Sequence, residues 1–158
     1  VGWAWQIDQE HGTQREDCGM TKILIAIDGS KTSDKAVNYV VNRKRQGETI
    51  EAFLLNVQPA VSPRGKLMTR SMIEEWQANE SEKAFGRPEI QTKKRYLGAD
   101  TYTEIGDAAE CLIAFARKTG CDEIAMGSRG LGGLKGLLLG SVVMKVLQLS
   151  PIPVVVVR

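Results

Sequence analysis

The chain has 158 residues, enough for one domain with a real core and too few for two ordinary ones. Apolar residues make up 42% and charged residues 25%, a globular balance, and the net charge of +2 is too small to point to nucleic acid or an anionic membrane. The cysteines Cys18, Cys111 and Cys121 are scattered, no CxxC pair occurs, and His11 is the one histidine. A structural zinc is therefore not expected, nor is Ser-His-Asp or Cys-His catalysis unless His11 folds back; a reducing cytoplasm suits this cysteine usage.

Residues 1–19 are polar, rich in Gln, Glu and Asp, and carry Trp3 and Trp5, without the basic start and apolar stretch of a signal peptide. Met20 stands two residues before the first predicted strand, so residues 1–19 are expected to be a poorly ordered upstream extension and 20–158 the domain. No apolar run approaches the ~18 residues that a membrane span needs.

Residues 22–27 form a short apolar run that ends at Asp28-Gly29-Ser30, as suits a strand buried on both faces of a parallel sheet. Ser30 or Ser33 can cap the next helix, whose Ala36, Val37, Val40 and Val41 share one stripe. Gly47 closes it, and residues 52–57 read as a second strand. Pro59, Pro63 and Gly65 mark a long connection. A helix over residues 69–85 is predicted to bury Met72, Ile73 and Trp76; Gly86-Arg87-Pro88 breaks it, and helix resumes to Leu97.

The third strand is predicted over residues 101–105 and ends at Gly106. Asp107 is an N-cap for a helix with Ala108, Ala109, Leu112, Ile113 and Ala116 on one face, ended by Gly120. Residues 123–126 and 154–157 read as the fourth and fifth strands, with a helix over 142–149 between them. The basic triplets Arg43-Lys44-Arg45 and Lys93-Lys94-Arg95 fall near helix C-termini, where cations suit the dipole. Strand and helix alternate five times, which right-handed crossovers turn into an α/β, Rossmann-like doubly wound parallel sheet with helices on both faces.

Between the fourth strand and the last helix, residues 127–141 carry six glycines. Glycine permits positive φ and close approach of backbone to a ligand. The N–H groups of Gly140, Ser141 and Val142 are expected to face an anion at the helix N-terminus, and those of Ser128, Arg129 and Gly130 to make a second anion-binding concavity. Ser141 is read as the N-cap. Two such sites suit a di- or triphosphate, and the C-terminal end of a strand is where open α/β sheets bind ligands. GxxxxGK[ST] is absent, because Lys135 precedes Gly136, and no GxGxxG follows the first strand.

Gly127-x2-Gly130-x9-Gly140-Ser141 resembles the nucleotide-binding signature of the universal stress protein family. The resemblance extends through residues 25–30, Leu55-Asn56-Val57, Gly106-Asp107-Ala108-Ala109 and residues 124–130, and so covers residues 20–158. It implies a five-stranded parallel sheet of order 3-2-1-4-5 and a homodimer that pairs last strands, here Val154 to Val157. It also implies ATP (or ADP or AMP), with or without Mg²⁺. Ala26, Val57 and Met126 would lie at the adenine, Asp28 at the ribose or metal, and Gly127, Gly130, Gly140 and Ser141 at phosphate and ribose. Arg129 can neutralise phosphate or stay solvated; Lys135 reads as solvated, and Cys111 and Cys121 as packing residues. The expected function is a dimeric nucleotide-binding regulator in stress survival. The alternatives are a slow Mg-dependent ATPase, for which the sequence offers no evident general base, and an interaction module that binds no nucleotide.

Overall fold

The computed structural model describes residues 19–61, 69–131 and 139–158. Trp3, Trp5, His11, Cys18, Pro63, Gly65, Gly132, Gly133, Lys135 and Gly136 lie outside the described residues, as does any expectation resting on them. Elements follow in the order β1 (Met20–Ala26), α1 (Lys31–Arg45), β2 (Thr49–Gln58), α2 (Arg70–Phe85), α3 (Pro88–Leu97), β3 (Asp100–Ile105), α4 (Ala108–Thr119), β4 (Glu123–Gly127), α5 (Ser141–Leu149) and β5 (Val154–Val157).

The strands form one sheet of order β3-β2-β1-β4-β5, and every pairing is parallel. Residue alternation along the strands sorts side chains to two faces. Ile23, Ile25, Leu54 and Ala125 meet Ala36, Val37 and Val40 of α1 together with Ala84, Ile90 and Leu97 from α2 and α3. Leu24, Leu55, Ile124 and Met126 meet Ala109, Leu112, Phe115 and Ala116 of α4 and Val143 and Val146 of α5. The sheet is thus doubly wound, and both faces are covered, as an all-parallel sheet requires. Among the described residues no helix is long and apolar enough to cross a membrane.

Local signals set most boundaries. The Ser30 hydroxyl accepts from Ser33 N–H at the start of α1, and Asp107 accepts from Glu110 N–H at the start of α4. Gly98 and Gly120 end α3 and α4 in the left-handed conformation.

The inner face of α2 is the main departure from the sequence pattern. Met72 and Trp76 are 51% and 41% exposed, while Ile73, Gln77, Ser81 and Ala84 face inward. Polar partners explain this: Gln77 Nε2 donates to Pro59 O at 2.8 Å, and Ser81 and Thr103 share a hydroxyl–hydroxyl hydrogen bond. Beside them Asn56 Nδ2 donates to Ile27 O at 2.6 Å and Gln58 Nε2 to Asn56 Oδ1 at 2.7 Å. A seam of satisfied amides thus fills the space that apolar side chains fill elsewhere.

Candidate functional site

The order reverses between β1 and β4, so their crossovers leave on opposite faces and a crevice opens at their C-terminal ends. A cleft of about 390 Å³ lies there, within the usual range for small-molecule sites. Its apolar part is built by Ala26 of β1, Leu55 and Val57 of β2, Met126 of β4, Ala108 and Leu112 of α4, and Val143 of α5. Its polar part comprises Asp28, Arg129, Gly130, Gly140 and Ser141.

Three helices begin at this cleft, through Ser33, Ala108 and Ser141. The first turns of α1 and α4 are closed by their own Ser30 and Asp107 side chains. α5 is different: its N-cap is Gly140, which has no side chain to offer, and Ser141 is the first helical residue rather than the cap expected from the sequence. Helical bonding starts with Met144 N–H to Gly140 O at 3.0 Å. The N–H groups of Ser141, Val142 and Val143 precede that bond and have no intrahelical partner. They carry the positive end of the helix dipole at the cleft.

The structure corrects the expected donor set in two places. Ser128 N–H donates to Val157 O and Gly140 N–H to Ser128 O, both at 2.8 Å, so neither faces a ligand. Ser128 is buried and does not line the cleft, whereas Ala26, Asp28, Val57, Met126, Gly127, Arg129, Gly130, Gly140, Ser141 and Val142 all do. Sequence reasoning missed Leu55, Leu112 and Val143, whose apolar spacing looks like ordinary core until the strand order is known.

Positive φ is not what the signature glycines supply, and at Gly127 and Gly130 close packing within the chain favours glycine. None of Gly127, Gly130 and Gly140 is among the glycines with positive φ. At Gly127 a Cβ would fall 2.5 Å from Thr32 C, 2.7 Å from Thr32 O and 2.8 Å from Ser33 N, so its bareness lets the first turn of α1 rest on the end of β4. At Gly130 a Cβ would meet Asp28 Oδ2 at 2.7 Å. At Gly140 the nearest atom would be Arg129 Cα at 3.5 Å, an ordinary contact.

Asp28 organises the loop. Its Oδ1 accepts from Ser30 N–H at 2.9 Å and its Oδ2 from Leu131 N–H at 3.1 Å, which joins the β1–α1 turn to the segment after β4. Among the described residues no cluster of three or more His, Cys, Asp or Glu side chains could hold a metal. Asp28 alone can supply one carboxylate to a Mg²⁺ that keeps waters and takes its other ligands from phosphate, which is how this ion is commonly held.

Cys111 is half-buried and Cys121 buried, and both are free thiols. Burial pushes both up from the ordinary thiol range, for Cys111 with the added repulsion of Glu104, Asp107 and Glu110. Such thiols are poor nucleophiles.

Fold and cleft together define an open parallel α/β domain with a ligand crevice at its topological switch point. The chain belongs to the universal stress protein family, whose model matches residues 20–158. It is 32% identical over 145 residues to universal stress protein YxiE of Bacillus subtilis, covering 87% of this chain and 98% of YxiE. Its fold is that of a universal stress protein family member from Arabidopsis thaliana solved with AMP bound, at TM-score 0.60 and 17% identity over 87% of this chain and 90% of the other. A universal stress protein solved in complex with cAMP shares the fold at TM-score 0.60 and 18% identity, over 87% of this chain and 97% of its own.

Proposed function

We propose that this protein is a nucleotide-binding regulator of stress survival that takes an adenine nucleotide, ATP before ADP or AMP, into the cleft between β1 and β4. The observation that carries the reading is the pairing of an apolar crevice with an uncapped helix N-terminus that lies beside Arg129 and Gly130. A flat aromatic base suits Ala26, Val57, Leu112 and Met126. Phosphate suits the free N–H groups of α5. The AMP and cAMP complexes of proteins with the same fold support an adenine nucleotide as the ligand class.

Mg²⁺ would arrive with the phosphates and use Asp28. Bound there, it neutralises phosphate charge. Among the described residues that line the cleft, Asp28 is the one carboxylate and there is no histidine. With both its oxygens accepting amide hydrogens, Asp28 is poorly placed as a general base. Holding nucleotide is therefore favoured over hydrolysing it. The free thiols of Cys111 and Cys121 make a cytoplasmic location part of the same proposal.

Calorimetric titration with ATP and Mg²⁺, identification of any nucleotide released on denaturation, and a phosphate-release assay test the reading together. Bound or titratable adenine nucleotide with little turnover is the expected result; steady phosphate release would make the protein an ATPase. A folded protein that ignores ATP would leave an interaction module. Gly140→Val is expected to abolish binding and keep the fold, because its branches would enter the space before Arg129 and Gly130.

The same proposal includes a homodimer. β5 pairs with β4 on one side and is the sheet edge on the other. Pro153 O and Val157 O face β4, so by the alternation of a parallel ladder Val154 and Val156 present their backbone groups outward. An unpaired apolar edge invites a second copy. Val156→Pro removes an outward N–H without touching the ladder. It is expected to give a folded monomer by sedimentation; an unchanged mass would place self-association elsewhere.

A further inference from the structure

We infer that Thr32, which does not line the cleft, is a positioning residue for it: its hydroxyl holds the backbone of residues 129–131 in the shape that faces the ligand. The inference rests on the nucleotide reading of the cleft and adds a residue that the signature does not contain.

Two sets of bonds fix this short segment. On one side Leu131 N–H donates to Asp28 Oδ2 at 3.1 Å. On the other Thr32 Oγ1 donates to Arg129 O. Thr32 has one hydroxyl hydrogen, committed to that carbonyl, so in its 3.0 Å contact with Ser30 it must accept. Ser30 Oγ in turn accepts from Ser33 N–H at 3.1 Å. A directed chain results, from Ser33 N–H to the Ser30 hydroxyl, on to the Thr32 hydroxyl and then to the Arg129 carbonyl, and the Ser30 hydroxyl also lies 3.5 Å from that carbonyl as a longer donor. Each donor in such a chain polarises the next.

The first turn of α1 can reach the loop only because Gly127 is bare. The Thr32–Ser33 peptide lies where a Cβ on residue 127 would be. With Arg129 O and Leu131 N–H both held from the α1 side, Gly130 sits between two fixed peptides. Its N–H has no partner among the described residues, and Gly130 lines the cleft. Thr32 thus determines where an open donor points without contacting what it binds.

The test compares wild type with Thr32→Val, which keeps the shape and loses the hydroxyl, and Thr32→Ser, which keeps the hydroxyl. Amide exchange at Leu131 reports the clamp without ligand, and titration with Mg-ATP reports its consequence. Loss of one net hydrogen bond corresponds to about a fivefold change in either equilibrium. Thr32→Val is expected to exchange about fivefold faster at Leu131 and to bind Mg-ATP about fivefold more weakly, with Thr32→Ser close to wild type in both. Thr32→Ala replaces Thr32→Val if the latter folds poorly. Unchanged exchange at Leu131 overturns the inference whether or not wild type binds ATP, and so does faster exchange with unchanged affinity. A wild type that ignores Mg-ATP sinks the nucleotide reading and the affinity half of this inference, while Leu131 exchange still decides whether Thr32 holds the loop.

Discussion

The signature glycines are chemically identical, yet the structure gives them unequal tolerance, and Gly127→Ala against Gly140→Ala measures the difference. At Gly127 the new methyl would meet three backbone atoms at 2.5, 2.7 and 2.8 Å, all in the first turn of α1. No flexible side chain can move aside, so the helix start must shift. Overpacking of this kind costs about 1–3 kcal/mol and occasionally more. The lower chain entropy of alanine offsets about 0.5–1 kcal/mol of that. A net loss of about 1–2 kcal/mol corresponds to a Tm lower by about 2–8 °C for a domain of this size. At Gly140, with φ −74° and ψ 158°, the backbone suits any residue. The nearest neighbour of the methyl is at 3.5 Å, so only the weaker N-cap preference of alanine counts, about 0.5 kcal/mol or 1–2 °C. Thermal unfolding by circular dichroism, without ligand, reads both. Equal shifts, or a larger loss at Gly140, would refute the claim that close helix packing is what requires glycine at residue 127.

Other changes have definite expected outcomes. Asn56→Ala strips the partners from Ile27 O and from Gln58 Nε2 in a buried seam. Unpaired groups cost ~1–3 kcal/mol each, so urea titration should show about 2–6 kcal/mol of lost stability. Arg43 bonds both Glu48 and the poorly exposed Glu123, and these carboxylates hold its pKa above the ordinary value. Arg43→Ala leaves Glu123 unpaired and should cost about 1–2 kcal/mol, less than the full penalty for a deeply buried charge; Arg43→Lys should recover part of this, because one ammonium cannot bridge both acids. The Asp107 carboxyl is held below its ordinary value by Glu110 N–H first and then by Lys145. A depressed folded pKa gives stability that is present above the unfolded value and lost as pH falls through the folded one. Acid titration monitored at the α4 amides should therefore show loosening below about pH 4, and Asp107→Asn should remove that step while keeping a cap.

Strands β1, β2 and β4 and the stripe of α1 were legible because burial there is apolar, while β3, exposed along most of its length, was legible from its β-forming residues. Ala36, Val37, Val40 and Val41 are all buried as their spacing requires. α2 was legible as a helix and misread as a surface. Its inward Gln77 and Ser81 are satisfied by Pro59 and Thr103, partners distant in the chain, and no hydrophobic pattern encodes such a match. Met72 and Trp76 then look like core by composition while lying outward. In the glycine-rich segment the sequence marks where backbone must come close, but not to what. At Gly127 the neighbour is α1, at Gly130 it is Asp28, and at Gly140 there is room. That distinction depends on the crossover from β1, more than ninety residues earlier, so no local motif contains it.

The three helix starts around the cleft also explain how a ligand would be oriented. Ser30 closes α1 and Asp107 closes α4, each by accepting a helix N–H with its own side chain, so neither start attracts an anion strongly. The Asp107 carboxylate is also paired with Lys145 at 3.0 Å, so the α4 start is satisfied within the domain. α5 begins at Gly140 with its first N–H groups open, and Arg129 lines the same wall. The side of the cleft made by β2 and α4, with Leu55, Val57, Ala108 and Leu112, offers apolar surface instead. Under the proposed function, a nucleotide therefore has one favourable direction, base toward β2 and α4 and phosphates toward α5. Specificity for that direction comes from leaving a single helix start uncapped, and filling it with a side-chain oxygen tests this: Gly140→Asp would cap α5, repel phosphate, and weaken ATP far more than adenosine. Equal weakening of both would show that the phosphates are held elsewhere.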